Sequence, residues 1–412
     1  MSDLTYVVVG GGVAGARAVE ALRSQGVSGR VVLVGDEREH PYERPPLSKE
    51  YLAGTSPRDR LLVHPPDWYA DNEVDLALGT RATALDLSGR AIELADGARL
   101  AYDRLLLATG SAPRKLKVAG NELDGVYYLR RVGHSDGVRE AIGAGGPLVV
   151  IGGGWIGLEV AAVARRAGLA VTVLEAAPGL LGVLGPEVAG RFEQLHRRHG
   201  VDVRTGVAVD RLVGAGRVEG VRLADGATIP AAAVVVGVGI RPLTDLAEAA
   251  GLPVDNGVLV DATLRTPDPA VWAAGDVANA ENDWVGHRLR VEHFANANDQ
   301  GQFAGRNMAG GDPARPAARW ARPPFFWTDQ FDLSMEYRGW AESGTPVVLR
   351  GAADDPVWFA FWLDPAGAVR AAMHVNGWDD ADQVKALVEG KVRVDAAALA
   401  DPGTGWDGVR AG

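Results

Sequence analysis

The chain has no cysteine among its 412 residues. This absence excludes disulfide relays, thiolate nucleophiles, cysteine-ligated iron–sulfur clusters and structural zinc held by cysteine. If the protein carries out redox chemistry, that chemistry must therefore take place on bound cofactors and not on its own side chains.

Long hydrophobic runs are also missing. No apolar run approaches the ~20 residues that a helix needs to cross a bilayer, and the run 231–240 is at most a buried strand. The N-terminus enters a strand-like run directly, without the features of a signal peptide. The net charge of −11 argues against a general affinity for nucleic acid or anionic membranes. We therefore expect a soluble, cytoplasmic protein that binds neither.

Histidine is scarce, and the eight histidines show no strong metal-ligand spacing. His196 and His199 lie three residues apart on a predicted helix, but the run 194–199 is typical of a solvated helix face. We therefore expect no metal site.

Glycine, in contrast, is abundant, and it forms two fingerprints, at residues 10–15 and 152–157. Each follows an apolar run typical of a buried parallel strand and precedes a helix-like sequence, which is the context that a dinucleotide-binding turn requires. The first glycine makes a tight turn, the second lets the backbone approach a pyrophosphate, and the third packs the helix against the strand. The fingerprint positions expected at the cofactors are Gly10, Gly12, Ala14, Gly15, Gly152, Gly154, Ile156 and Gly157.

Each fingerprint has a second half, a strand that ends in a carboxylate. The run 30–35 ends at Asp36, with Glu37 next, and the run 170–174 ends at Glu175. A carboxylate at this place accepts hydrogen bonds from ribose hydroxyls. Two complete βαβ units predict two bound dinucleotides and electron transfer between them.

Glu175 also bears on the choice of nucleotide. Its carboxylate would repel a 2′-phosphate, and the two residues that follow it are alanines, so no arginine is present there to bind one. We expect NADH to be preferred over NADPH. The alternative is that Glu175 is a solvated carboxylate at a strand end.

The two βαβ units form an internal repeat of roughly 140 residues, too long for a solenoid. We expect an α/β fold with two Rossmann-like dinucleotide-binding domains and a C-terminal α+β domain. The strand-like run 271–276 has no helix-forming partner in the second unit. We therefore expect the chain to return to the first unit at this strand. The expected domains are residues 1–114 with 242–322, residues 115–241, and residues 323–412.

Three shorter features complete this organisation. Two strand-like runs end in small-residue turns, where we expect the backbone of Thr109, Gly110 and Gly239 to approach the cofactors. Alternating aromatic residues within 357–363 predict an antiparallel sheet with a buried core, followed by a helix near 381–389. The glycine-rich tail after residue 401 is expected to be loose.

Several further motifs point to a known family: Arg44-Pro45-Pro46-Leu47-Ser48-Lys49, Leu129-Arg130, Gly275-Asp276, Arg290-Val291-Glu292-His293-Phe294 and Phe326-Trp327-Thr328-Asp329-Gln330. With the fingerprints, they make nearly the whole chain resemble the NADH-dependent ferredoxin reductases of bacterial cytochrome P450 and ring-hydroxylating oxygenase systems. These belong to the FAD-dependent pyridine nucleotide-disulfide oxidoreductase superfamily, with glutathione reductase and apoptosis-inducing factor. The resemblance implies FAD in the first domain, NADH in the second, and a third domain that completes the flavin pocket and meets a [2Fe–2S] ferredoxin.

The resemblance also implies roles for individual residues. Asp36 would bind the adenosine ribose, Asp276 the ribityl chain, and Phe294 and Trp327 would lie near the isoalloxazine. Cysteine-dependent relatives have their redox disulfide just before the segment that matches 46–49, and its absence here fits one flavin with an external electron acceptor. The FAD-binding positions implied are Ala14, Asp36, Arg44, Lys49, Ala82, Arg130, Gly275, Asp276, Glu292, His293, Phe294 and Trp327.

Hydride transfer to a flavin requires stabilisation of the negative charge that develops there. Lys49 is the candidate, and the resemblance pairs it with Glu159. The alternative is that Lys49 caps a surface helix beginning at Ser48. Trp327 is the candidate for shielding the reduced flavin and shortening the electron path, with simple core packing as its alternative.

Alternative interpretations stay open for the docking surface of the partner and for the activity. Arg315, Arg319 and Arg322 are a candidate docking patch for an acidic ferredoxin, or else ordinary solvated arginines. Alternative functions are an NADH oxidase, a rubredoxin or quinone reductase, or a redox sensor like apoptosis-inducing factor, to which the pair Glu292-His293 is also suited. The residues do not identify the ferredoxin, the terminal oxygenase or the oligomeric state.

Overall fold

The computed structural model describes residues 4–310 and 317–411, which group by their contacts into two units. Unit 1 consists of Met1–Glu43, Arg58–Ala112 and Ile240–Pro324. Unit 2 consists of Arg44–Pro57, Pro113–Gly239 and Phe325–Gly412.

The elements of the described chain are numbered from its N-terminus. The strands are β1 (Tyr6–Val9), β2 (Val31–Gly35), β3 (Val74–Leu78), β4 (Ala82–Asp86), β5 (Ala91–Leu94), β6 (Arg99–Ala101), β7 (Arg104–Leu107), β8 (Ser111–Pro113), β9 (Val126–Tyr127), β10 (Leu148–Ile151), β11 (Val171–Leu174), β12 (Asp202–Arg204), β13 (Val209–Val213), β14 (Gly220–Leu223), β15 (Thr228–Pro230), β16 (Ala233–Val236), β17 (Ile240–Pro242), β18 (Val258–Val260), β19 (Val271–Ala273), β20 (Ala278–Asn282), β21 (His287–Arg290), β22 (Phe325–Gln330), β23 (Leu333–Gly339), β24 (Val347–Arg350), β25 (Trp358–Leu363) and β26 (Val369–Val375). The α-helices are α1 (Val13–Ser24), α2 (Pro66–Asp71), α3 (Val132–Ala144), α4 (Trp155–Arg166), α5 (Pro186–Arg198), α6 (Asp245–Ala249), α7 (Phe294–Ala309), α8 (Ala381–Glu389) and α9 (Ala396–Ala400). Short 3-10 helices span Pro45–Ser48, Arg58–Leu61, Gly182–Leu184, Gly275–Val277 and Trp378–Asp380.

Unit 1 is built on a parallel sheet with the strand order β19-β7-β1-β2-β3. Every residue of β1 and β2 is buried, as expected for a parallel sheet that is covered on both faces. Helix α1 packs along α7. Strand β19 pairs with β7, so the chain does return to the first sheet after its excursion through the second unit.

Unit 2 repeats this plan with a second parallel sheet, in the order β12-β11-β10-β16-β9. Strand β10 is buried over its whole length, and α4 begins four residues after it, so a glycine turn connects them. Strands β13, β14 and β15 form a small antiparallel sheet.

The C-terminal part of unit 2 is an antiparallel sheet in the order β22-β23-β26-β25-β24. Helix α8 packs on β26, and its bounds match the helix predicted near 381–389. Every residue of β25 is buried, because the sheet is covered on both faces at this strand. The aromatic residues there form a core, as predicted. With the two parallel sheets, this confirms the expected fold class.

The prediction of a loose tail after residue 401 is wrong. The guanidinium of Arg350 donates hydrogen bonds to the carbonyls of Leu399 at 3.2 Å, Asp401 at 2.7 Å and Thr404 at 2.8 Å. It also lies 4.5 Å from the ring centroid of Trp406. One buried arginine thus satisfies several carbonyls of a segment that has little regular structure of its own.

The described ranges contain no helix that is both long enough and apolar enough to span a bilayer.

Candidate active site

The first fingerprint forms a turn that only glycine can make. Gly10 has φ +130°, and a Cβ added to it would lie 2.0 Å from the carbonyl oxygen of Ala108. A Cβ on Gly15 would lie 2.0 Å from the carbonyl oxygen of Gly10. Strand β1, its neighbour β7 and helix α1 therefore approach one another as closely as backbones can.

The same turn has the open space and the amides that a dinucleotide diphosphate needs. A Cβ added to Gly12 would meet no described atom within 4 Å. Among the described residues, no side chain caps the N-terminus of α1, and its first turn contains no acidic residue. The positive end of the helix dipole is thus available to an anion. On these observations the turn fits the diphosphate of FAD.

The carboxylates after β2 have polar partners within unit 1. Asp36 Oδ2 lies 3.2 Å from Arg81 Nη2, and Glu37 Oε2 accepts a hydrogen bond of 2.6 Å from the hydroxyl of Tyr42. Ala82 is the buried first residue of β4. Asp36 therefore occupies the strand-end place at which a ribose hydroxyl is bound in such folds.

The turn at Gly275 and Asp276 lies against the first fingerprint helix. Gly275 has φ +79°, and a Cβ on it would lie 3.1 Å from the Cβ of Ala14. Its amide donates to Gln300 Oε1 at 2.9 Å, and the buried Asp276 Oδ2 accepts a hydrogen bond of 2.6 Å from Ser111. The sequence predicts Asp276 but not Ser111, because a lone serine after a strand carries no distinguishing signal.

Two other predicted residues of this unit, Thr109 and Gly110, hold the segment that follows β17. The hydroxyl of Thr109 donates to the carbonyl of Leu243 at 2.7 Å, and the carbonyl of Gly110 accepts from the amide of Leu243 at 2.9 Å. The turn after β7 is thereby fixed beside Gly10 and close to the end of β1.

The motif at residues 290–294 leads into helix α7. Phe294 is the first residue of α7, and His293 is its N-cap residue. Burial lowers the pKa of His293 to about 4, against the opposing effect of the Asp276 carboxylate. Arg290 pairs with Glu292 and donates to the carbonyl of Asp276 at 3.2 Å. His293 is therefore a neutral imidazole near Asp276 at neutral pH.

The second fingerprint has the same geometry in unit 2. Gly152 has φ +108°, and a Cβ on it would lie 2.3 Å from the carbonyl oxygen of Gly237. A Cβ on Gly157 would lie 2.3 Å from the carbonyl oxygen of Gly152, while one on Gly154 would meet no described atom within 4 Å. Ile156 is 43% exposed at the start of α4. This turn fits a second dinucleotide diphosphate.

Near the second fingerprint, a carboxylate and a glycine complete the site. Glu175 Oε2 accepts a hydrogen bond of 2.7 Å from the amide of Gly153, and its Oε1 accepts one of 2.7 Å from Ala177. Each carboxylate oxygen has a second lone pair for a ribose hydroxyl. Gly239 has φ +92° and accepts a hydrogen bond of 2.9 Å from the amide of Arg114.

Lys49 and Glu159 form a buried ion pair, with Lys49 Nζ 2.8 Å from Glu159 Oε1. The side chains are 12% and 5% exposed. The alternative of a lysine that caps a surface helix does not describe this arrangement. Glu159 also accepts hydrogen bonds of 2.5 Å from Ser48 and 2.6 Å from Thr328. The sequence does not predict these two hydroxyl donors, although both lie inside the motifs that it identifies.

The remaining predicted positions of unit 2 are Arg44, Arg130 and Trp327. Arg44 donates a short hydrogen bond to the carbonyl of Arg130, which lies just before α3. Trp327 is half-buried on β22, its ring centroid 6.1 Å from that of Phe325, and its cross-strand neighbour is Glu336. It does not belong to the fully buried core of the sheet.

The prediction of a solvated face at residues 194–199 holds for Gln194, Arg197 and Arg198, which are exposed, but it is wrong for His196. His196 is fully buried, and its Nε2 lies 2.8 Å from Gln330 Oε1. His199 stacks on Phe331, with ring centroids 4.0 Å apart. The spacing of Ala189, Phe192 and His196 is the signal that would have placed His196 on the buried face of α5. Within residues 4–310 and 317–411, no group of three or more acidic or histidine side chains is placed to hold a metal ion.

The candidate docking arginines have acidic partners where they are described. Arg319 forms hydrogen bonds of 2.6 and 2.9 Å with Asp283, and Arg322 lies 3.2 Å from Asp299. Arg315 lies outside the described residues. The two described arginines are therefore at least partly neutralised by their own neighbours.

Two parallel sheets, each with a glycine turn and a strand-end carboxylate, define an oxidoreductase that binds two dinucleotides. The chain belongs to the pyridine nucleotide-disulphide oxidoreductase family, whose model matches residues 4–301, and a reductase C-terminal domain matches residues 325–406. Members use FAD and NADH, and the predicted family, enzyme class and cofactors are confirmed.

Individual relatives match over nearly the whole chain. The 5,5′-dehydrodivanillate O-demethylase ferredoxin reductase subunit of Sphingobium sp. is 40% identical, over 98% of both chains. The ferredoxin–NAD(+) reductase component of the biphenyl dioxygenase system of Paraburkholderia xenovorans is 39% identical, over 97% of both chains. The crystal structure of the ferredoxin reductase for the CYP199A2 system from Rhodopseudomonas palustris has a TM-score of 0.92 at 35% identity, over 98% of both chains.

Proposed function

We propose that this protein is an FAD-dependent ferredoxin reductase. It takes electrons from NADH and passes them to a [2Fe–2S] ferredoxin that supplies a cytochrome P450 or a ring-hydroxylating oxygenase. The observation that carries the proposal is the buried Lys49–Glu159 pair in a chain without cysteine. Lys49 is the charged group that we assign to flavin reduction, and the chain has no thiols of the kind a disulfide reductase uses, so the electrons must leave to another molecule.

The names of the relatives support the same acceptor. The two curated relatives are reductases of ferredoxin in demethylase and dioxygenase systems, and the structural neighbour serves a CYP system. Each aligns along almost the full length of this chain, including the C-terminal sheet. The activity is thus proposed for the whole chain and not for one domain of it.

We assign roles to the residues of the first unit as follows. Gly10 makes the tight turn, its own amide donating to the carbonyl of Val34 at 2.8 Å. The amides of Gly12 and of the start of α1 bind the FAD diphosphate, and Asp36 binds the adenosine ribose. Asp276, oriented by Ser111, accepts hydrogen bonds from the ribityl hydroxyls. The neutral His293 avoids placing a second cation beside Arg290 in this buried region. The other positions of this unit that we propose at FAD are Ala14, Gly15, Ala82, Thr109, Gly110, Gly275, Glu292 and Phe294. From unit 2 we propose Arg44 and Arg130 at the same cofactor.

The second unit binds NADH. Gly152 makes the tight turn, its own amide donating to the carbonyl of Leu174 at 2.8 Å. Gly154 and the start of α4 bind the diphosphate, and Glu175 accepts hydrogen bonds from the adenosine ribose. Because Glu175 is already held by two backbone amides, it cannot turn away from a 2′-phosphate at low cost, and NADPH is disfavoured. Ile156, Gly157 and Gly239 line the same cofactor in this proposal.

Bound FAD supplies the conversion between two-electron hydride transfer and one-electron transfer. The chain contributes Lys49, which favours negative charge on the reduced ring, and Glu159, which holds the lysine in place. Trp327 shields the ring and shortens the path to the ferredoxin. We also propose that the protein acts in the cytoplasm, and that its domains are residues 1–114 with 242–322, 115–241, and 323–412.

The test begins with the flavin spectrum of the purified protein and its anaerobic reduction by NADH. The reduced protein is then mixed with a panel of [2Fe–2S] ferredoxins, and cytochrome c reduction is followed. Strong ferredoxin-dependent turnover is expected. Rapid flavin reduction without transfer to any ferredoxin would instead favour an NADH oxidase, or a redox sensor if the reduced complex persisted in air.

A further inference from the structure

A line of buried hydrogen bonds runs from helix α5 to the carboxylate of Glu159. His196 Nε2 lies 2.8 Å from Gln330 Oε1, Gln330 Nε2 lies 3.1 Å from Thr328 Oγ1, and Thr328 Oγ1 lies 2.6 Å from Glu159 Oε1. Taken as whole residues, His196, Gln330 and Thr328 are 0% exposed and Glu159 is 4% exposed. The line joins α5, β22 and α4 within unit 2.

The chemistry of the four groups gives this line a single direction. The carboxylate of Glu159 only accepts, so the hydroxyl of Thr328 donates to it. The Thr328 oxygen then accepts from the amide nitrogen of Gln330, which leaves the amide oxygen of Gln330 to accept from His196. His196 must therefore bear its proton on Nε2, and burial keeps the ring neutral.

Each donor in this line points toward Glu159, which polarises the next hydroxyl or amide in the same sense. Glu159 Oε1 receives the Thr328 hydroxyl and the Lys49 ammonium, while Oε2 receives the Ser48 hydroxyl. Both oxygens are thereby fixed, and the plane of the carboxylate with them. A carboxylate that cannot rotate holds its lysine in one place.

We propose that Thr328, Gln330 and His196 are positioning residues for the reductive step, because their directional hydrogen bonds orient Glu159 and, through it, Lys49. This inference rests on the proposed function of Lys49 in flavin reduction. It extends the catalytic arrangement from a pair of residues to a network that reaches two helices and the C-terminal sheet. The C-terminal domain would then contribute to the reduction of the flavin as well as to the transfer of electrons from it.

The decisive variant is Thr328→Val, which keeps the shape of the side chain and removes the hydroxyl. We expect flavin reduction by NADH in an anaerobic stopped-flow experiment to slow about tenfold. We also expect the flavin midpoint potential to become more negative, since a displaced lysine stabilises the reduced ring less. Thr328→Ser retains the donor, so its rate should lie within about twofold of the wild-type rate and its midpoint potential should match that of the wild type.

Thr244→Val is the matched control. Thr244 is also a buried threonine whose hydroxyl donates to a carboxylate, Glu248 Oε1 at 2.5 Å, but it is the N-cap residue of helix α6 in unit 1. Its loss should lower thermal stability without changing the midpoint potential. A potential that moved equally in both variants would indicate general loosening and would overturn the proposal.

A double-mutant cycle with Lys49→Met separates this inference from the proposed function. If Lys49→Met slows reduction and Thr328→Val adds no further slowing in its presence, Thr328 acts through Lys49 as proposed. If Lys49→Met has no effect, the role of Lys49 itself fails, and with it the inference. If Lys49→Met slows reduction but Thr328→Val is as fast as the wild type, only the inference is overturned.

Gln330→Met provides a second route if Thr328→Val does not fold. It leaves the bond from Thr328 to Glu159 in place and removes the amide that polarises Thr328. We expect flavin reduction to slow about threefold and the flavin midpoint potential to become more negative, as in Thr328→Val but by less. A folded variant with unchanged rate and potential would contradict the proposal.

Discussion

The carboxylate of Glu175 accepts a hydrogen bond of 2.7 Å from the amide of Gly153, inside the second glycine fingerprint. The strand-end acid and the diphosphate-binding turn are thus joined directly, although they lie 22 residues apart in the chain. In the binding mode that we propose, the adenosine ribose of the nucleotide lies next to this fixed negative charge.

This geometry predicts the nucleotide preference. Glu175→Gln removes the charge and leaves one oxygen acceptor, so the efficiency with NADH should fall about tenfold while that with NADPH falls less or rises. The measurement is kcat/KM for both nucleotides with a fixed artificial acceptor. Comparable efficiency of the wild type with NADH and NADPH would contradict the role of Glu175.

Lys49→Met should leave FAD bound and slow flavin reduction by NADH about a hundredfold, because a cation that stabilises developing charge has been lost. The flavin content and the stopped-flow rate are measured on the same preparation. Lys385→Met, on the exposed side of α8, is the control for loss of a lysine charge and should react at the wild-type rate. An unchanged rate for Lys49→Met would remove this residue from the mechanism.

Ser111→Ala tests the residue that the sequence does not single out. Its hydroxyl is a donor to the buried Asp276, so its removal should weaken FAD binding about fivefold by leaving that carboxylate less well oriented. Titration of the apoprotein with FAD, followed by quenching of flavin fluorescence, gives the dissociation constant. Ser334→Ala, which removes a half-buried hydroxyl on β23 that donates to the carboxylate of Asp329, should not change it. Equal affinities for the wild type and Ser111→Ala would show that Asp276 needs no help from this donor.

Acid should destabilise the protein through His196. Burial lowers the pKa of His196 to about 4, whereas the unfolded chain has the ordinary value of 6.5, so the unfolded state binds more protons between these values. Stability should therefore fall as the pH decreases from about 6.5 to about 4, by up to about 3 kcal/mol from this residue.

The thermal midpoint measured across this range in the wild type and in His196→Gln tests that expectation. The variant keeps an amide donor for Gln330 but does not titrate, so its midpoint should depend less on pH. His293 also has a pKa lowered to about 4 and remains in both proteins, so part of the dependence persists. Identical slopes for the two proteins would show that His196 does not contribute.

Local sequence was enough to predict the two cofactor turns. Gly10 and Gly152 occupy conformations that a Cβ would block, and a carboxylate follows the second strand of each unit, so chain order alone indicates the βαβ plan. The buried strands were equally plain, because a parallel sheet covered on both faces needs continuous apolar runs. Helix α8 was predicted with its observed bounds.

Other features required the folded chain. His196 was predicted to be solvated because arginines and a second histidine surround it in the sequence, yet Gln330, distant in the chain, provides its buried partner. The tail after residue 401 has few apolar residues, and its order depends on the carbonyls that Arg350 binds. In both cases the decisive partner is too far away along the chain for any local pattern to show it.

By itself, the sequence determined that this protein binds two dinucleotides and works without thiols, since glycine turns, strand-end acids and the lack of cysteine are properties of single segments. Only the tertiary structure decided which groups act together. Ser111 and Asp276 are 165 residues apart, and Glu159 and Thr328 are 169 apart. Hydrogen bonds of 2.6 Å between such residues form only after the sheets and helices that carry them have packed. The packing of these elements, and not the order of the residues in the chain, brings each donor to its acceptor in a buried place.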